Sequence, residues 1–173
     1  QRMAVALCHE SYNVRPNLFP LLVRKQMELL LTHGHTRSSP RVLANYALLL
    51  VILGDFAAAQ RFGEAGMDLT RAPQYRAAGP ETTFYYYCFV RHWRHPVRSG
   101  LGTLREAVSA ALDQGDQESA GFLAATLLSQ AFWAGTPLSD IDMLARELIP
   151  DVRSLTVPNR LLHAMQQMAL NLM

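Results

Sequence analysis

The chain has 173 residues, of which half are hydrophobic and 17% are charged, and its formal net charge is +2. Globular proteins average about 25% charged residues, so this balance predicts a well-packed domain and excludes intrinsic disorder. The small net charge and the lack of any dense run of Lys and Arg argue against nucleic-acid binding, which requires a strongly basic face.

Cysteine usage and hydropathy predict a cytoplasmic protein without a membrane span. The two cysteines, Cys8 and Cys88, make neither a disulfide framework nor a CxxC pair. The longest apolar run, residues 42–53, is shorter than the roughly 20 residues that cross a bilayer, and Asn45 interrupts it. Because the sequence starts without an initiator methionine and stops inside an apolar pattern, we expect a piece of a longer protein.

Helix start and stop signals recur along the chain, whereas strand signals are almost absent. The pattern predicts the tail of a helix over residues 1–12 and then helices over 20–32, from Ser39-Pro40 to Gly54, from Asp55 to about 72, from Gly79-Pro80 to Pro96, from there to Gly115, from Asp116 to Gly135, from Thr136-Pro137 to Pro150, and from Pro158 onward. The side chains expected to face inward are Leu43, Tyr46, Ala47, Leu50, Phe56, Ala59, Phe62, Met67, Leu104, Val108, Ala111, Leu112, Ala120, Ala124, Leu127, Leu128, Ile141, Leu144, Leu148, Leu161, Leu162, Met165 and Leu172.

The predicted helices repeat as hairpins. The loops at Gly54-Asp55 and Gly115-Asp116 are so short that the flanking helices must pack antiparallel. Hairpins begin near residues 40, 79 and 117, and a period of a little under forty residues is typical of a helical solenoid. We therefore predict one continuous all-α array over residues 1–173, with hairpins near 20–72, 79–114 and 117–155 and a last helix over 158–173.

The segment GDFAAAQRFGEAG, residues 54–66, is similar to the turn and second helix of a tetratricopeptide repeat. The turn, aromatic and small-residue positions of that repeat are matched by Gly54, Asp55, Phe56 and Ala59. The second Gly-Asp turn repeats the spacing through Gly115, Asp116 and Ala120. The chain departs from the repeat pattern at Gly63, where a large aromatic residue is expected, and at Arg71, where proline is usual.

A longer likeness, from about residue 29 to the end, is carried by the segments HGHTRSSPRVLANYALLLVILGDFAAAQRFGEAGMDL, FVRHW, ALDQGDQESAGFLAA and FWAGTPLSDID. In order and spacing these resemble the helical-repeat region of large bacterial signalling proteins. In that family a serine/threonine kinase-like domain and a STAND-type AAA ATPase precede the repeats, and a GAF domain and a sensor histidine kinase often follow. The positions that match are Phe89, His92, Trp93, Gly115, Asp116 and Gly135.

The resemblance implies a regulatory middle segment that binds a partner protein, a peptide or a neighbouring domain. The chain has no GxxxxGK[ST] phosphate loop, no HRD or DFG triplet and no GxSxG elbow. Nothing in the sequence pairs the carboxylates Glu81, Glu106, Glu118 and Glu147 for acid–base chemistry. We expect no enzymatic activity in this segment and no cofactor.

The stretch FYYYCFVRHWRHPVR, residues 84–98, carries the alternative interpretation. On one continuous helix Cys88, His92 and His95 share a face and could hold zinc together with a water molecule. A metal-binding helical enzyme domain is thus a second hypothesis. We favour no metal, because Cys88 continues an apolar stripe and a structural zinc site normally has four ligands.

The same stretch supplies a candidate interaction surface, since Arg91, Arg94 and Arg98 also share a helix face. Such arginines either contact an acidic partner or form a solvated face. We expect Trp93 to pack with Tyr86 and Phe89 in the core. His33 and His35 flank Gly34, a predicted helix C-cap, and we interpret them as surface residues.

The first hypothesis is accordingly a scaffold and sensor segment of a cytoplasmic signalling ATPase or kinase, which relays partner binding by a population shift. A third is a stand-alone repeat adaptor, or the repeat arm of an ATP-dependent transcription regulator. These two differ only in the neighbouring domains, and the oligomeric state stays open.

Overall fold

The computed structural model describes residues 15–152 and 156–173, and in these ranges it is all-helical, without a strand. The predicted helix over residues 1–12 lies outside the described residues. The α-helices are α1 (Phe19–His33), α2 (Ser39–Ile52), α3 (Phe56–Thr70), α4 (Gly79–Tyr85), α5 (Leu101–Asp113), α6 (Gln117–Trp133), α7 (Leu138–Val152) and α8 (Thr156–Leu172). Shorter 3₁₀ segments occur at Pro16–Leu18, Pro73–Ala78, Arg91–Trp93 and Val97–Gly100, and a π-helix occupies Tyr86–Val90.

The chain divides into two compact units, the first ending at Arg94 and the second beginning at His95. In the first unit α2 and α3 form a hairpin, α1 packs on α2, and α4 with the π-helix packs on both members of the hairpin. Its core is built by apolar side chains of α1, α2 and α4 together with small residues of α3, namely Phe19, Val23, Val42, Ala44, Leu48, Ala59 and Tyr85.

In the second unit α5 and α6 form one hairpin and α7 and α8 another, and α6 packs on both α7 and α8. The buried side chains include Leu104, Val108, Leu123, Leu128, Ile141, Leu148 and Leu162. Every predicted inward-facing residue on α2, α3, α5, α6 and α7 is buried or half-buried, which confirms those faces. On α8 the prediction was wrong for Leu161 and Leu172, which are 46% and 60% exposed, because Leu162 and Ala169 are the residues this helix buries.

The two Gly-Asp turns have nearly the same backbone. Gly54 and Gly115 both adopt positive φ, 83° and 71°, which residues with a side chain adopt only under strain. The next residue then donates its backbone N–H to the carbonyl five residues earlier, Asp55 to Leu50 and Asp116 to Ala111, each at 2.9 Å. Both aspartates cap the following helix, since their Oδ1 atoms accept from Ala58 N at 2.9 Å and Ser119 N at 3.1 Å. The two Gly-Asp turns are confirmed, and each aspartate is the helix cap that its residue type and position predict.

Several helices begin or end at residues other than those predicted, in each case near a proline or a serine. The Ser39-Pro40 pair predicts Ser39 as the N-cap of its helix. Ser39 is instead the first residue of α2, and its Oγ accepts from the backbone N–H of Thr36. Pro150 does not end its helix; it lies inside the last turn of α7, where its missing N–H removes only one backbone bond. The helix predicted to run to Pro96 leaves α geometry after Tyr85. No described helix is both long and apolar enough to cross a membrane.

Candidate functional site

The stretch of residues 84–98 does not form one α-helix. The π-helix Tyr86–Val90 follows α4 directly, the 3₁₀ turn Arg91–Trp93 follows the π-helix, and the chain leaves helical geometry at Arg94. A π-helix bonds residue i to i+5 rather than i+4, so side chains four and seven apart no longer align. π-segments within helices are frequent at functional sites.

This geometry corrects the zinc hypothesis. Cys88 lies in the π-helix and His92 in the 3₁₀ turn, while His95 follows that turn and belongs to the second unit. The shared α-helical face on which the hypothesis rested is therefore not formed. Within residues 15–152 and 156–173, no three His, Cys, Asp or Glu side chains are grouped to hold a metal ion.

Two consecutive tyrosines connect residues 84–98 to the hairpin of α2 and α3 by hydrogen bonds. The Tyr85 hydroxyl accepts a hydrogen bond from Arg41 Nη2 on α2 at 2.9 Å, and the Tyr86 hydroxyl accepts one from Gln60 Nε2 on α3. Both rings are buried. Because the two side chains point to different helices of the hairpin, they fix the rotation of the segment that follows them.

Arg41 is the centre of a buried polar network that the sequence analysis did not anticipate. It is 1% exposed, its Nε donates to Asn45 Oδ1 at 3.2 Å, and Asn45 Nδ2 donates to Gln26 Oε1 at 3.2 Å. The guanidinium is also ion-paired with Glu81 and lies 4.0 Å from the centre of the Tyr85 ring. The network joins α1, α2 and α4. Its signal in the sequence was an Arg and an Asn four residues apart inside an otherwise apolar helix.

Tyr86 occupies space left by a glycine. A Cβ atom added to Gly63 would lie 2.5 Å from Cδ2 of the Tyr86 ring, so only glycine allows the ring to lie against α3. Burial raises the pKa of the Tyr86 hydroxyl to about 12, and the hydroxyl therefore stays neutral at physiological pH. Gly63, which stands where the tetratricopeptide pattern has a large aromatic residue, thus leaves room for the Tyr86 ring.

Trp93 lies on the surface, so its predicted place in the core was wrong. It is 52% exposed and stacks on Phe56, with ring centroids 4.4 Å apart and planes 20° apart. Its Nε1 donates to the carbonyl of Phe89 at 3.2 Å. The predicted partner Tyr86 is instead turned toward Gln60, because the π-helix changes the angle between successive side chains.

Further apolar side chains are exposed at the same end of the hairpin. Ile52 and Leu53, at the turn that leads to Phe56, are 56% and 71% exposed. We call Ile52, Leu53, Phe56 and Trp93 the hairpin-tip patch. A patch of this kind on a monomer surface marks an interaction site more often than a scattered apolar residue does.

Two arginines, Arg91 and Arg94, lie within two residues of Trp93 in the sequence. The Arg91 guanidinium carbon lies 5.3 Å from the centre of the Tyr87 ring. Arg94 is exposed, and its side chain has no hydrogen-bond, ion-pair or ring partner among the residues that the structure describes. Partial burial lowers the pKa of His92, an effect that a hydrogen bond with the Tyr87 backbone opposes in part. The positive charge here comes from the arginines.

The three candidate arginines do not share a helix face. Arg91 and Arg94 belong to the first unit, whereas Arg98 belongs to the second and its Nη2 donates to the carbonyl of Ala134 at 2.7 Å. That bond ties Arg98 to the turn at Gly135. The prediction that Arg98 shares a helix face with Arg91 and Arg94 was therefore wrong. That these arginines bind a partner stays a prediction.

The remaining candidate histidines are exposed, and two of the candidate carboxylates pair with arginines. His33 and His35 are exposed, as predicted, and Gly34 is the C-cap of α1, with φ 78°. Glu81 pairs with Arg41, and Glu147 pairs with Arg105 at 2.9 Å. Each of these two carboxylates therefore has an arginine as its neighbour.

A comparison with protein-family models, with curated proteins and with solved structures finds no match to this chain.

Proposed function

We propose that this chain is a non-catalytic protein-interaction segment built from tetratricopeptide-like hairpins of a helical solenoid, and that it belongs to a cytoplasmic signal-transduction ATPase or kinase. The two matching Gly-Asp turns, with their aspartate caps, support the repeat interpretation. The sequence resemblance supports the signalling context. A stand-alone adaptor or the arm of a transcription regulator would use the same surface with other neighbouring domains.

The half-exposed stack of Trp93 on Phe56 is the observation that carries the proposal. Tryptophan, tyrosine and arginine are enriched at the residues that dominate the energy of protein interfaces. Here an exposed tryptophan and exposed aliphatic side chains occur in one unit with Arg94, whose side chain has no partner among the described residues. The partner is a protein, a peptide or a neighbouring domain of the same chain.

The hydrogen bonds that connect the Trp93 segment to the hairpin are suited to transmitting partner binding. Tyr85 and Tyr86 connect the segment that carries Trp93 to Arg41 on α2 and Gln60 on α3. A partner that contacts Trp93 would bias the packing of this segment against the hairpin. That bias is how binding would shift the population of conformations sensed by the ATPase or kinase.

The test is selection from an unbiased displayed peptide library on the whole chain, followed by affinity measurements on two variants. Trp93→Ala should weaken binding of the selected peptides by about 2 kcal/mol, the size expected for an interface hot spot. Trp133→Ala is the matched control, because Trp133 is 74% exposed but lies in the second unit. A library that yields no binder, or binders equally sensitive to both variants, would contradict the proposal. Circular dichroism checks that each variant folds.

A further inference from the structure

We propose that the hairpin-tip patch binds an acidic peptide segment that carries an apolar or aromatic anchor. The anchor packs on Trp93 and Phe56, and carboxylates beside it pair with Arg94 and Arg91. This inference rests on the proposed function, because it names the partner chemistry of the same site.

Charge complementarity is the first argument. Between Glu81 and Glu106 the chain has no Asp or Glu, yet it carries four arginines. Two of these, Arg91 and Arg94, lie in the first unit next to Trp93 in sequence. The carboxylate at the hairpin turn, Asp55, directs its Oδ1 to the backbone N–H of Ala58 as the cap of α3. The segment around Trp93 therefore combines exposed aromatic surface with two positive charges, against the single carboxylate of Asp55 at the turn.

The state of each arginine is the second argument. Arg94 is exposed and has no side-chain partner in the part of the chain that the structure describes. A guanidinium offers a planar fork that matches a carboxylate with two parallel hydrogen bonds. Arg91 is half-buried and rests near the Tyr87 ring, and a partly ordered arginine loses less entropy when it binds.

The number of cations favours a peptide over other anionic partners. Nucleic-acid binding draws on several phosphate contacts at once, and binding to anionic lipid usually requires four to eight basic residues together. The patch has two arginines, and the net charge of the chain is only +2. Two arginines within two residues of the exposed Trp93 match a short acidic segment with one anchor.

The experiment uses two displayed peptide libraries on the whole chain. Both have a fixed central aromatic residue; the flanks are drawn from Asp and Glu in one library and from Asn and Gln in the other. The best acidic binder and its amide counterpart are then synthesised and titrated against wild type, Trp93→Ala, Arg94→Gln and Arg76→Gln. Arg76 is an exposed arginine of the first unit that follows the far end of α3 from Phe56, so it controls for net charge.

We expect the acidic peptide to bind about threefold to thirtyfold more tightly than its amide counterpart at low salt, since each exposed pair contributes modestly. Added salt should remove that preference. Arg94→Gln should reduce it and Arg76→Gln should not, while Trp93→Ala should weaken binding of both peptides by about thirtyfold, as expected for an interface hot spot.

Equal binding of the two peptides would overturn the acidic inference and leave the protein-interaction proposal intact. An acidic preference equally sensitive to Arg76→Gln would overturn it as well, because long-range charge alone would then explain the preference. Oligo-dT or phosphatidylserine vesicles that bind through Trp93 where neither library does would overturn it in favour of a nucleic acid or a membrane. Failure of the unbiased library as well would show that the proposed function itself is wrong.

Discussion

Arg41 is a charged residue in a buried position. A buried guanidinium is tolerated only when its charge and its donors are matched. Asn45, Tyr85 and Glu81 supply those partners from two helices. The Glu81 side chain is 45% exposed, so the network reaches water at the first turn of α4.

Removal of the counter-charge should therefore destabilise the protein. We predict that Glu81→Gln lowers the free energy of unfolding by about 1–3 kcal/mol, because it leaves Arg41 buried without its carboxylate. Urea unfolding followed by circular dichroism measures the change.

Glu118→Gln is the control for this prediction. Glu118 also lies in the first turn of a helix, where a carboxylate interacts favourably with the helix dipole, but it is exposed. Its replacement should change the free energy of unfolding by no more than about 0.5 kcal/mol. Equal effects of the two substitutions would mean that the ion pair with Arg41 contributes nothing.

Among the elements, α3 and the π-helix fit each other through Gly63. A Cβ at this position would meet Tyr86 Cδ2 at 2.5 Å and Cε2 at 2.8 Å. The ring would have to move and its hydrogen bond with Gln60 would be lost. The close approach of the two elements therefore depends on a residue without a side chain.

We predict opposite effects for two Gly→Ala substitutions in helices. Gly63→Ala should lower the free energy of unfolding by about 1–3 kcal/mol through overpacking. Gly102→Ala, on α5, has no atom within 4 Å of the added Cβ and should raise the free energy by about 0.5 kcal/mol. Thermal unfolding of the two variants side by side measures both. A stabilising Gly63→Ala would contradict the packing of Tyr86 against α3.

The elements also show what the sequence could predict. The Gly-Asp turns were predictable because a positive φ and a helix cap each require particular residue types at adjacent positions. The π-helix was not, since it arises from the packing of Tyr85 and Tyr86 against two different helices and leaves no local pattern. α-Helical spacing continued through Pro96 predicts Trp93 in the core. The π-helix breaks that spacing, and Trp93 lies on the surface instead.

At the scale of the whole molecule, the chain is two compact helical units, each organised around at least one antiparallel hairpin. The two Gly-Asp turns, one in each unit, have nearly the same backbone. The arrangement of the hairpins as a repeat array stays a prediction. The two tryptophans are exposed in different units, Trp93 in the first and Trp133 in the second. Each unit can therefore be probed by its own indole.

The most direct test of the account is the solvent accessibility of Trp93. Trp133→Phe leaves Trp93 as the single tryptophan, and its emission maximum and acrylamide quenching report the environment of the indole. We expect substantial quenching of Trp93, because it is 52% exposed. Quenching of Trp133 in the reciprocal Trp93→Phe variant should be stronger, because Trp133 is 74% exposed. Blue-shifted emission with almost no quenching would place Trp93 in the core, and the proposed interaction site would then not exist.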